Sequence, residues 1–307
     1  MSSLIERLGS LQLLIVTGKG GVGKTTLTAA LGRLLTSHGR RVLLIEMDPR
    51  ESLHHLLDVE PSDGEIVDVG PLLALQHLEP RRVLDDLIRE KLKVGPLVRR
   101  VLASPVHQHF TEGAPGLKHT GVFGRILRLV EGHGPRTVKR PDIVILDAPA
   151  TGHGVQLMAA PQLVAEVIRS GPIGAMATEI AAFMHESERC GVVAVTVAEE
   201  IPVQETLELL TDVEDRLGYP PKMVIVNGLY PPLPADQDAA DDSRDGSSDP
   251  AMTLWRHRRR INERELARLG EEWDGAILEL PLLPIDRGPA LVGALGTRLG
   301  RELRELG

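Results

Sequence analysis

The sequence predicts an α/β fold, a mostly parallel sheet with helices on both faces and a helical insertion, and three observations predict it. Short apolar, partly β-branched runs recur along the chain, and segments of helical periodicity separate them. The first run also ends in a glycine-rich loop that opens a helix.

Residues 11–17 form that first run, and 25–37 carry the helical pattern that Gly39 stops. This predicts strand, loop, helix. Residues 41–46, 142–146, 192–197, 223–226 and 276–280 are further short apolar runs bounded by Gly, Pro or acidic residues, and each predicts a buried strand. Residues 73–78 predict an edge strand, with Pro80 opening the next helix at its first turn, where a missing N–H costs nothing. Two segments break the alternation. Residues 83–130 repeat Leu, Val and Ile at helical spacing and predict a helical insertion beside the sheet. Residues 231–250 begin Pro-Pro-Leu-Pro and continue rich in Asp and Ser, so they bury too little apolar surface to offset chain entropy and predict a mobile loop. No internal repeat is present, and the expectation is a single domain over 1–307 with one functional site.

Composition narrows the function classes. The 42% hydrophobic content fills a real core, and a net charge of -8 argues against a general nucleic-acid binder, so no specific nucleic-acid partner is expected. With Cys190 the sole cysteine, a thiolate-held zinc or iron–sulfur centre cannot form within one chain. No stretch reaches the ~18 to 20 apolar residues of a membrane span, which points to a cytoplasmic location.

The chemistry concentrates in Gly18-Lys19-Gly20-Gly21-Val22-Gly23-Lys24-Thr25-Thr26. Gly18, Gly23, Lys24 and Thr25 satisfy the phosphate-loop pattern G-x-x-x-x-G-K-S/T, in which backbone N–H groups converge on phosphates at a helix N-terminus. Lys24 is then expected to reach the β and γ phosphates of ATP, and Thr25 to ligate Mg²⁺. The same stretch also satisfies the dinucleotide pattern G-x-G-x-x-G through Gly18, Gly20 and Gly23, with Glu46 ending the second strand where a ribose-binding acid would stand. Lys24-Thr25 favours the triphosphate reading, because a dinucleotide site has no use for a lysine and a hydroxyl aimed at a terminal phosphate and metal.

Two acidic segments follow predicted strands. Asp48, in Glu46-Met47-Asp48-Pro49-Arg50-Glu51-Ser52, can orient an attacking water. Asp147, in Asp147-Ala148-Pro149-Ala150-Thr151-Gly152-His153-Gly154, can hold Mg²⁺ through a water, and Gly152 and Gly154 would let the backbone shift when a phosphate leaves.

With Lys19 the loop resembles the deviant Walker A class of P-loop ATPases, which includes partitioning ATPases and nitrogenase iron protein. Together with Asp48-Pro49 and the Asp147 segment, it is similar to the ArsA family of arsenite-pump and tail-anchored-protein-targeting ATPases, especially its bacterial single-domain members. The resemblance implies an ATP-hydrolysing enzyme that closes as a homodimer or paralogue heterodimer, with Lys19 crossing to the partner's phosphates. It makes Lys24, Thr25 and Thr26 the phosphate and Mg²⁺ ligands, Asp48 the water-polarising acid and Asp147 the second-switch carboxylate. It also makes Asn227 the adenine-reading residue and Pro281-Leu282 the adenine-lining loop. This chain departs from the family in Arg50-Glu51, where Ala-His is usual, and in Pro149, which stands one residue early.

The family's metalloid cysteines and zinc-holding Cys pairs are missing, so no arsenite is expected. A protein client or membrane-protein segment is the expected cargo, for which Met158, Ile173, Met176, Ile180, Phe183 and Met184 supply apolar surface, unless they simply pack the helical layer. A nucleotide-gated adaptor with negligible turnover and a partitioning-type ATPase are the alternatives. The basic run 255–260 predicts a solvated helix face, and 289–306, with Leu291, Leu295, Leu299 and Leu303, predicts a packed amphipathic terminal helix.

Overall fold

The computed structural model describes residues 3–91, 115–133, 139–232 and 249–306. In chain order the elements are α1 (Leu4–Ser10), β1 (Leu13–Gly18), α2 (Lys24–Ser37), β2 (Val42–Glu46), α3 (Ser52–Leu57), β3 (Val67–Asp68), β4 (Leu73–His77) and α4 (Pro80–Lys91). There follow α5 (Pro115–Val130), β5 (Ile143–Asp147), α6 (Thr151–Val167), α7 (Gly171–His185), β6 (Cys190–Thr196) and α8 (Glu200–Leu217). The chain continues through β7 (Met223–Leu229), α9 (Pro250–Glu272), β8 (Ile277–Pro281) and α10 (Pro289–Glu305).

The strands join one sheet in the order β3-β4-β2-β5-β1-β6-β7-β8. All pairs are parallel except β3 with β4. Alternation along each strand sorts its side chains between two apolar layers. Leu13, Ile15, Val144, Leu146, Val192 and Val224 face a layer that includes residues of α5, α6, α7, α8 and α9. Leu14, Val16, Ile143, Ile145, Val193 and Ile225 face the other, built with α1, α2, α3 and α10. Strands buried on both faces read as unbroken apolar runs, and the five residues of β2 and of β5 are all buried.

Strand order reverses at β1, which lies between β5 and β6. In parallel α/β sheets a crevice opens beyond the carboxyl ends at such a switch point. Register sets what meets there: Val16 pairs with Asp147, and Glu46 pairs with Asp147 from the other side.

Some expectations need correction. Residues 73–77 are not the edge; β3 lies outside them, a two-residue strand too short to leave a periodic signal. The helical segment packs on one face of the sheet, with Val122, Phe123 and Ile126 of α5 in the main core. The rest of that segment, 92–114, and most of the loop expected at 231–250, namely 233–248, lie outside the described residues. Met158, Ile180, Phe183 and Met184 are buried in the core, so these four pack the helical layer, while Met176 packs against it and Ile173 is exposed.

The two helical readings near the C-terminal end hold. The basic run lies on α9, where Arg258 pairs with Glu199 at 3.0 Å and Arg259 with Glu263 at 2.8 Å. Leu295, Leu299 and Leu303 of α10 are buried. Among the described residues, no helix is long and apolar enough to cross a membrane.

Candidate functional site

The loop between β1 and α2 is built by two close approaches. Gly18 stands against the Val195 carbonyl of β6, so close that a Cβ would overlap it. Gly23 has φ 98° and caps α2 without a side-chain hydrogen bond, leaving the first-turn N–H groups of that helix open to the cleft. The Asn227 amide lies against Gly23 and donates to the Val22 carbonyl at 2.9 Å. Asn227 stands in the stretch of β7 where its register with β8 shifts, between Val226 and Leu229. Val22 itself is buried in the core.

A cleft of about 650 Å³ opens above the loop. Gly20, Gly21, Gly23, Lys24, Thr25 and Thr26 line one side, Asp48 and Arg50 another, and Asp147 its floor, with Arg287 at the rim. The Thr25 hydroxyl donates to Asp147 Oδ2 at 2.7 Å, and the Thr28 hydroxyl donates to Oδ1 at 3.3 Å. Burial pushes the Asp147 carboxyl up to about 6, against the opposing pull of those hydroxyls and of Lys24. Burial also lowers the Lys24 ammonium, which donates to the Lys19 carbonyl at 2.7 Å, although the charge of Asp147 works the other way.

Asp48 is fully engaged. Arg50 donates to it from Nε at 3.1 Å, from Nη2 at 3.0 Å and from its backbone N–H at 3.0 Å. These hydrogen bonds hold the Asp48 carboxyl below its ordinary value. Lys19 leaves the cleft: its ammonium pairs with Glu205 Oε1 on α8 of the same chain at 2.7 Å. Pro281 and Leu282 do not line the cleft either. Pro281 borders a neighbouring hollow of about 310 Å³ with Leu229, Tyr230 and Asn262.

Glu46, the acid of the dinucleotide alternative, is completely buried. One oxygen accepts from the Leu53 N–H at 2.8 Å and the other from His54 Nδ1 at 2.6 Å. It closes the start of α3 and is unavailable to a ribose, which removes the structural basis for that reading. Gly154 serves packing as well as any shift of the second acidic segment, since a Cβ there would stand 2.7 Å from the Thr17 hydroxyl.

Three partners escape the sequence reading. Thr28 was accessible through its spacing from Thr25, which stacks the two hydroxyls on one helix face. Glu205 and Arg287 belong to no motif and arrive through packing alone.

Comparison with known proteins agrees with this geometry. The family model for anion-transporting ATPases, ArsA_ATPase, matches residues 11–171. The chain is 31% identical over 243 residues to ATPase BagA of Mycobacterium tuberculosis strain H37Rv, covering 76% of this chain and 70% of that one. It is 24% identical over 302 residues to the arsenical pump-driving ATPase of Acidiphilium multivorum, covering 93% of this chain and 49% of that one. It is 25% identical over 162 residues to ATPase get3 of Pyrenophora tritici-repentis, covering 52% and 46%. A glycine loop, two acidic strand ends and a family model spanning all three place the chain plainly: it belongs to the ArsA family of ATPases.

Proposed function

We propose that this ATPase works as a dimeric molecular switch, closing around ATP and coupling closure and hydrolysis to a protein or membrane client. The observation that carries the reading is the convergence of Lys24, Thr25, Asp48 and Asp147 on one cleft at the carboxyl edge of the sheet. Gly18, Gly20, Gly21 and Gly23 bring backbone N–H groups to the phosphates, with Lys24, Thr25 and Thr26 beside them. Asn227, whose amide nitrogen donates to Val22, uses its Oδ1 to accept from a base that extends past the cleft toward the neighbouring hollow, where Pro281 stands, followed by Leu282.

The donor set fits Mg²⁺: a hydroxyl and a carboxylate, both hard oxygen donors, lie 2.7 Å apart on the floor of the cleft. Thr25 would hold the ion directly and Asp147 through a water. When bound, Mg²⁺ supplies charge neutralisation on the β and γ phosphates. Asp48 orients the water that attacks the γ phosphate, and it does so once Arg50 releases its oxygens. That grip favours slow turnover in the isolated chain, which gives the nucleotide-gated adaptor reading its physical content.

Lys19 exchanges Glu205 for the nucleotide of a second subunit, in a homodimer or with a paralogue. All described strands join one sheet, which supports one nucleotide-binding unit over 1–307. The single thiol, Cys190, is buried and pushed up to about 12 by that burial, so a cysteine-held metalloid has no place in this scheme.

Sedimentation velocity of the Asp48→Asn variant with ATP and Mg²⁺, compared with ADP, tests the switch. A dimer formed with ATP alone supports it, and recovery of partners by that trapped variant then identifies the client. A monomer under both conditions refutes the homodimer.

A further inference from the structure

The cleft contains a cation that the phosphate-loop motif does not account for. Arg287 lies in the loop between β8 and α10 and lines the cleft together with Lys24, Thr25, Thr26 and Asp48. Packing of α10 on α2 brings it there. A Cβ at Gly296 would stand 3.3 Å from the Ala30 carbonyl, and one at Gly300 would stand 2.9 Å from Leu34 Cδ1. The two contacts share one offset, so the helices advance side by side in the same direction. At that offset Pro289, the first residue of α10, comes level with Gly23, the cap of α2. Arg287 precedes Pro289 and so overhangs the loop that would cradle phosphate.

Among the described residues its charge has no answering carboxylate. Arg50 is taken up by Asp48, Lys19 by Glu205, and the Lys24 ammonium rests on the Lys19 carbonyl. Among the described residues Arg287 makes no hydrogen bond or ion pair. A guanidinium is always charged and presents a planar fork of donors that matches two phosphate oxygens at once.

We propose that Arg287 binds the polyphosphate chain of the nucleotide within its own subunit, as a second cationic ligand beside Lys24. This rests on the reading of the cleft as the nucleotide site. It also supplies phosphate-binding charge from the same chain while Lys19 remains on Glu205.

Isothermal titration of the full chain with ATP, ADP and inorganic tripolyphosphate tests it, alongside Arg287→Ala and Arg287→Lys. Loss of a charge-assisted contact predicts that Arg287→Ala weakens ATP and tripolyphosphate by about 10- to 100-fold. Arg287→Lys is expected to recover part of that loss, because a point charge keeps the attraction without the fork. The melting temperature and circular dichroism are expected to match those of the unaltered chain, whereas a structural role would move them and would leave tripolyphosphate affinity unchanged. Equal ATP and tripolyphosphate affinities in the unaltered chain and Arg287→Ala would overturn the proposal and leave the cleft reading standing. Failure of the unaltered chain to bind ATP would overturn the cleft reading, and this assignment with it.

Discussion

Lys19, the second lysine of the phosphate loop, donates to Glu205 Oε1 at 2.7 Å within its own chain. Both side chains are about a third exposed, at 35% and 34%, so water and salt screen the pair. Such pairs contribute about 0–1 kcal/mol, little enough for a phosphate to displace the carboxylate. Glu205→Gln is therefore expected to strengthen ATP-dependent self-association up to about fivefold, and Lys19→Ala to abolish it. Sedimentation velocity reads both, and a Lys19→Ala protein that dimerises like the unaltered chain would end the intersubunit role of Lys19.

Asp48 and Arg50 make the corresponding test of chemistry. Asp48→Asn is expected to bind ATP while losing roughly 10²–10⁴-fold in turnover, the usual contribution of a positioned general base. Arg50→Ala removes both guanidinium hydrogen bonds and leaves only the backbone N–H at Oδ1, so it is expected to raise basal turnover. Steady-state phosphate release measures both effects; normal turnover in Asp48→Asn removes that residue from the mechanism.

Asp147 carries a pH dependence in the nucleotide-free, metal-free protein. Its carboxyl is raised to about 6 in the fold from an ordinary 3.8, so between these values the folded state binds more protons than the unfolded state. Stability from this group is therefore lost as pH rises from about 4 to about 6, and the full penalty of a buried charge applies above. Asp147→Asn removes the penalty and keeps an acceptor for Thr25. Relative to the unaltered chain it is expected to gain about 1–3 kcal/mol at pH 8 and nothing below pH 4, while losing ATP hydrolysis. Urea denaturation across this range decides it, and a stability difference independent of pH would count against the assignment.

Gly23 combines a left-handed backbone, φ 98°, with the Asn227 amide in the space a Cβ would take. Gly23→Ala is expected to cost about 1–3 kcal/mol from strain alone. Asn227→Ala in that background is expected to restore part of the loss by relieving the contact while the backbone strain remains. Denaturation midpoints of the two variants check this, and equal stability of Gly23→Ala and the unaltered chain would contradict the strained geometry.

Much of this protein was legible along the chain. The strands flanking the cleft announced themselves because burial on both faces leaves unbroken apolar runs, as in β2 and β5. The phosphate loop was legible because its requirements are local: backbone N–H groups in sequence, glycines where side chains would collide, and a helix opening at Lys24. Strand β3 was not, because two residues carry no period.

The sequence by itself thus determined the fold class, the loop and the two strand-end acids, all properties of neighbours within a few residues. Tertiary structure alone decided the partners. Glu46 could serve a ribose on paper until burial closed it over Leu53 and His54. Lys19 meets Glu205 only because α8 packs beside the loop, and Arg287 reaches the cleft only because α10 lies along α2. Those pairings depend on how helices stack on the sheet across long chain separations. No local spacing encodes which charge will face which cleft.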